Sequence, residues 1–162
     1  MRIKLNLRMV VGLLICCLNF RMYLTNFFSE EKTYKLKNTK GTRKLVKRIC
    51  LDHKIELGLI NCIFCSDDYL LKINKKYLNH DYYTDIITFD FSEDKNKLEG
   101  DLYISLDRTR ENARFYKTTK ELEIIRLITH GCLHLIGYSD KTKKEKKRMR
   151  SLENKYISLY KK

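Results

Sequence analysis

Two histidines four residues apart, His130 and His134, lie in the stretch THGCLHLIGYSDK, with Gly137 three residues after the second and Asp140 three after that. On a helix, side chains four apart share one face, about 6 Å apart along the axis, so both imidazoles can meet one cation. Gly137 stands where helices commonly end in a left-handed residue, and a turn there can swing Asp140 back toward the imidazoles. Two nitrogens and one oxygen on one side of an ion leave a position for water, which is the layout of a catalytic rather than a closed structural zinc site. Water at such an ion has its pKa lowered to roughly 7, although a carboxylate ligand lowers it less than a third imidazole. Nickel or manganese suit the same donors.

Holding these three groups in place requires a long helix and a defined turn. TTKELEIIRLITHGCLHLIG predicts that helix, with Thr118 or Thr119 as cap and Leu122, Ile125, Ile128 and Cys132 on one stripe. Upstream, YLTNFF reads as a first strand, and TRKLVKRICLDHKIEL as a helix with Thr42 as cap and Leu45, Val46, Ile49 and Cys50 inward. LINCIFC reads as a strand, and Ser66 opens a helix carrying Tyr69, Leu70, Ile73 and Tyr77. Strands follow at DIITFDF, from Asp85, and GDLYISL, from Gly100, separated by a polar loop. DRTRENARFY is a short helix capped by Asp107, and the chain closes with a basic amphipathic helix bearing Met149, Leu152, Tyr156 and Leu159 on one stripe. The pattern predicts an α+β fold: a small mixed sheet of about four strands packed with about five helices, the metal site on the long helix and the turn after it.

A net charge of +14 favours contact with nucleic acid or an anionic surface, though a lysine-rich, AT-biased coding sequence gives the same composition. Of six cysteines, Cys62 and Cys65 form a single C-x-x-C with no partner half, on a strand where positions three apart face opposite sides. Reduced, buried thiols are expected. Residues 1–21 combine a basic start with the apolar run MVVGLLICCLNF, too short to span a bilayer as a helix and lacking a small-x-small cleavage signal. The expectation is a start at Met22, with 1–21 outside the fold and a single domain over 22–162.

HGCLHLIGYSDK resembles the signature of the YbeY family of bacterial rRNA maturation factors, matching at His130, Gly131, Leu133, His134, Leu135, Gly137, Tyr138 and Asp140. INKKYLNHDYYTDIITF (73–89) and GDLYIS (100–105) resemble two further blocks of that family. The resemblance implies a cytoplasmic, single-strand-specific, zinc-dependent endoribonuclease with one ion on His130, His134 and Asp140. Its partners would be ribosomal RNA and the small ribosomal subunit, its roles 16S rRNA 3′-end maturation and ribosome quality control, with no membrane partner. Thr84, Asp85 and Asp101 are candidates for shaping the cleft. Two departures stand out: the third ligand is usually histidine, and many members carry arginine where this chain has Leu78. Phosphate neutralisation then falls to Lys75, Lys76 or the basic C-terminal helix, whose residues 141–150 hold seven Lys or Arg and one Glu. The alternative is a non-catalytic ribosome-assembly factor that binds RNA and keeps a structural metal. A metallopeptidase is weaker: metzincins of similar spacing need a glutamate directly after the first histidine, and here that residue is Gly131.

Overall fold

A computed structural model of the chain describes residues 2–4, 24–31 and 34–161. Its elements are β1 (Arg2–Lys4), β2 (Thr25–Ser29), α1 (Thr39–Asp52), β3 (Glu56–Cys65), α2 (Asp67–Leu78), β4 (Ile86–Asp90), β5 (Lys97–Ser105), α3 (Leu106–Phe115), α4 (Lys120–Leu135) and α5 (Lys143–Tyr160). The expected four strands, β2 to β5, and five helices are present, and β1 adds a three-residue edge. Sheet order is β1-β4-β5-β3-β2, with β4 antiparallel to β5 and every other pair parallel. The expectation for 1–21 falls, apart from Arg2–Lys4, outside the described residues. Among the described residues no helix is long and apolar enough to cross a membrane.

Period-two alternation divides the core. Ile60, Cys62 and Phe64 of β3 and Leu98, Leu102 and Ile104 of β5 face α1, α4 and α5. Ile63, Cys65, Ile87, Phe89 and Tyr103 face α2, with Leu70. Cys62 and Cys65 therefore lie on opposite faces, and both are free, as are the buried Cys50 and Cys132.

Several boundaries differ from the sequence reading. α1 ends at Asp52, and Glu56 and Leu57, read as the end of that helix, open β3. β5 starts at Lys97 rather than Gly100, because the ten-residue β3 pairs along it from Glu56↔Lys97 onward. Asn38, not Thr42, caps α1 by accepting from the Gly41 N–H at 2.9 Å, while the Thr42 hydroxyl turns back to the Asn38 carbonyl. Ser105 caps α3, since β5 runs into that helix without a loop, and this leaves Asp107 in the first turn.

Two glycines let α4 approach the sheet. A Cβ on Gly131 would stand 2.7 Å from Leu102 Cδ2 and 2.9 Å from Ile86 Cδ1, and one on Gly100 would meet the Phe89 carbonyl at 2.2 Å and Leu135 at 3.2 Å. The end of α4 that carries both histidines is thereby seated on β4 and β5.

Candidate metal centre

Thr119 caps α4 by accepting from the Leu122 N–H, and eleven of its residues are buried, His134 among them. Gly137 takes φ 99° just past the end, as its position predicts, and the Tyr138 N–H reaches back to the Leu133 carbonyl at 3.0 Å. The chain then turns, and Thr142 with Glu145 forms a capping box that starts α5. Asp140 is held between these two anchored ends.

The result is convergence. The Nε2 atoms of His130 and His134 are 2.9 Å apart, and the Asp140 carboxylate lies 3.9 Å from the first and 3.8 Å from the second. One ligand atom from each residue fits within a 4.8 Å span. The outer nitrogens decide the chemistry. His134 Nδ1 is 2.9 Å from the Tyr138 carbonyl, which can only accept, so this nitrogen carries the proton. His130 Nδ1 is 2.7 Å from Glu153 Oε1. Burial alone would raise the Glu153 carboxyl's pKa, but the His130 hydrogen bond and the Arg126 and Arg150 charges outweigh it and hold it below the usual range. Glu153 is thus an acceptor too. Both rings then present Nε2 lone pairs to each other and to a carboxylate, an arrangement that a shared cation satisfies. Burial, with His130 beside it, lowers the His134 pKa and favours that neutral form. A tetrahedral zinc ion holds two nitrogens roughly 3.3 Å apart, close to the spacing seen here. The residues present fit the metal.

Glu153 is the residue that sequence reasoning missed. It is 2% exposed and lies on the buried stripe of α5 between Met149 and Tyr156. Its Oε2 faces Arg126 Nη1 at 3.6 Å and Arg150 Nη1 at 3.4 Å. Arg126 in turn grips the buried Glu123 through two hydrogen bonds of 2.9 and 2.6 Å. The available signal was a carboxylate four residues after Met149 and three before Tyr156, at core spacing.

The other candidates are placed differently. Asp85 accepts from Asn112 Nδ2 at 3.0 Å and lies 3.5 Å from Arg126, which links it through Glu153 to His130. Thr84 bonds only locally, to the Ile86 carbonyl at 3.4 Å. Asp101 lies on the α2 face of the sheet, accepting from Asn61 Nδ2 at 2.9 Å. Leu78 packs against the α2-side core, Lys75 pairs with Asp81 at 2.7 Å, and all seven cations of 141–150 are exposed. Gly131, where a peptidase carries its base, faces Leu102 and Ile86 with no room for a carboxylate.

Residues 25–161 match the profile described as YbeY, Endoribonuclease YbeY. The chain belongs to the YbeY family. It is 48% identical over 135 residues to Endoribonuclease YbeY of Cytophaga hutchinsonii, covering 83% of this chain and 94% of that one. It is 42% identical over 134 residues to that of Porphyromonas gingivalis, covering 83% and 88%. The solution structure of a Thermotoga maritima protein superposes with TM-score 0.60 at 27% identity, over 84% of this chain and 88% of the other. The histidine pair and its turn thus sit inside the span the family shares.

Proposed function

We propose that this chain is a cytoplasmic, metal-dependent endoribonuclease that hydrolyses phosphodiester bonds of single-stranded RNA, acting on the small ribosomal subunit in 16S rRNA 3′-end maturation and in ribosome quality control. The observation that carries the reading is the pair of inward lone pairs on His130 and His134 beside Asp140, in a member of an endoribonuclease family. These three residues would hold one divalent ion, zinc first, with nickel or manganese suiting the same donors. An ion held by these residues would supply Lewis-acid polarisation of a phosphoryl oxygen and a more acidic water.

The chain's own groups do the rest. Glu153 and the Tyr138 carbonyl hold the outer imidazole protons, fixing tautomer and ring orientation. With Leu78 apolar and Lys75 paired, the exposed Lys76 and the exposed cations from Lys141 to Arg150 are available for phosphates near the centre.

The test compares wild type and His130→Ala, purified free of other nucleases and analysed for metal, on single-stranded and duplex RNA. Wild type cuts the single strand, and the variant binds RNA without cutting. A metal-loaded wild type that binds RNA but leaves it intact identifies an assembly factor with a structural ion and overturns the enzymatic reading.

A further inference from the structure

The helices fall into two classes by charge. In α2, α3 and α4 acids occupy the first turn (Asp67 and Asp68; Asp107; Glu121 and Glu123), and in α2 and α3 cations occupy the last, as the helix dipole favours. α1 is reversed: its first turn holds no acid and its last turn no cation, while Lys40, Arg43 and Lys44 crowd the positive end and Asp52 sits at the negative end. α5 places its acid where the dipole favours it, Glu145 in the capping box, but crowds Lys143, Lys144, Lys146 and Lys147 into its opening turns and has no cation in its last. Each such placement is mildly unfavourable to folding.

These two helices pack on each other. Their seam begins at the metal centre's own turn: Arg148 lies over the Tyr138 ring at 4.7 Å, and the Tyr138 hydroxyl is 3.4 Å from His53 Nδ1 at the end of α1. It continues through Asp52, whose charge is met from both sides by Lys155 at 2.6 Å and Arg48 at 2.7 Å. It ends in a cavity of about 530 Å³ walled by Lys40, Lys44 and Arg48 on one side and Leu159 and Tyr160 on the other. Among the described residues Lys40 and Lys44 have no acidic partner, and both are exposed. From His53 to Lys40 the helix rise gives a track of about 20 Å.

We infer that the α1–α5 seam is an RNA-binding track leading away from the metal centre, with backbone phosphates on Arg148, Lys44 and Lys40 and one base lodged against Leu159 and Tyr160. This rests on the endoribonuclease reading and extends it to a surface away from the reacting bond. A groove with a cationic wall and an apolar, aromatic wall matches the two halves of a nucleotide, and binding of this kind tolerates any sequence. RNA binding also accounts for cations kept where folding disfavours them.

The experiment uses the metal-loaded full chain and two single-stranded RNAs, a dodecamer and a trinucleotide too short to reach the cavity from the metal centre. Lys40→Glu/Lys44→Glu should bind the dodecamer at least ~10-fold more weakly, with the log–log salt slope reduced by roughly 1.4, or ~0.7 for each single-strand phosphate no longer neutralised. It should cut the trinucleotide as wild type does and melt no lower than wild type, because both changes suit the helix dipole. Lys40→Ala/Lys44→Ala should follow in the same direction with a smaller loss. Dodecamer affinity and salt slope equal to wild type, with cleavage intact, would overturn the track and leave the nuclease standing. A wild type that binds no RNA overturns both.

Discussion

The same sheet carries a polar cluster on each face, and the two are built on opposite principles. On the α4 face, His130 and His134 have their outer nitrogens engaged, and their Nε2 atoms and the Asp140 carboxylate turn toward one another. On the α2 face, Asn26, Asn61 and Asp101 form a chain of hydrogen bonds, 3.3 Å from Asn26 to Asn61 and 2.9 Å from Asn61 to Asp101, whose members answer one another. Each pairs buried members, His134 on one face and Asn61 and Asp101 on the other, with partly exposed ones, so burial does not separate them. What separates them is satisfaction: a polar cluster complete in itself stabilises a fold, whereas one whose ligand atoms converge on a common point has the layout of a cation site.

The comparison can be broken most decisively at Asp140. Asp140→Ala removes the proposed oxygen ligand, and zinc affinity, measured by competition with a chromophoric chelator, should fall by more than ~100-fold, beyond what loss of a supporting partner costs. The apo-protein should melt as wild type does, since the Asp140 side chain is 40% exposed. Glu153→Ala should weaken zinc by ~10–100-fold. Glu153→Gln, which still accepts from His130 Nδ1, should recover part of that loss, and equal affinities for Ala, Gln and wild type would remove Glu153 from any positioning role. Gly131→Ala drives a methyl into Leu102 and Ile86, and should cost about 1–3 kcal/mol in denaturant unfolding.

The smallest effect belongs to the self-satisfied cluster. Burial raises the Asp101 carboxyl's pKa, with the Asn61 hydrogen bond opposing. A carboxyl raised in the folded state favours folding when protonated, and that advantage is lost as pH climbs through the raised value. Asp101→Asn keeps an acceptor for Asn61 and removes the titration. Its Tm should match wild type in acid, exceed it modestly at neutral pH, and leave zinc affinity unchanged. A marked loss of zinc affinity would show that the two faces are not independent.

Much of the α4 face was legible in sequence because the relevant spacings are local. Positions 130 and 134 share a helix face by geometry alone, and a glycine at 137 forecasts the turn that returns Asp140. Glu153 was harder to read: its spacing to Met149 and Tyr156 was the one local signal, and an acid in a helix rich in lysine reads as part of a solvated face. Its burial depends on how α5 packs on α4, a tertiary fact. The caps show the same limit on a smaller scale. Thr42 and Asp107 are chemically competent, yet Asn38 and Ser105 hold the positions because preceding segments set where each helix begins. The start of β5 was likewise decided by its partner strand, not by its own polar residues.

Side-chain exposure within the metal centre is uneven: 16% for His130, 9% for His134 and 40% for Asp140. Solvent therefore meets this centre on its oxygen side. The member that reaches water is the one carried by the turn, while both nitrogens stay covered on the helix that packs against the sheet.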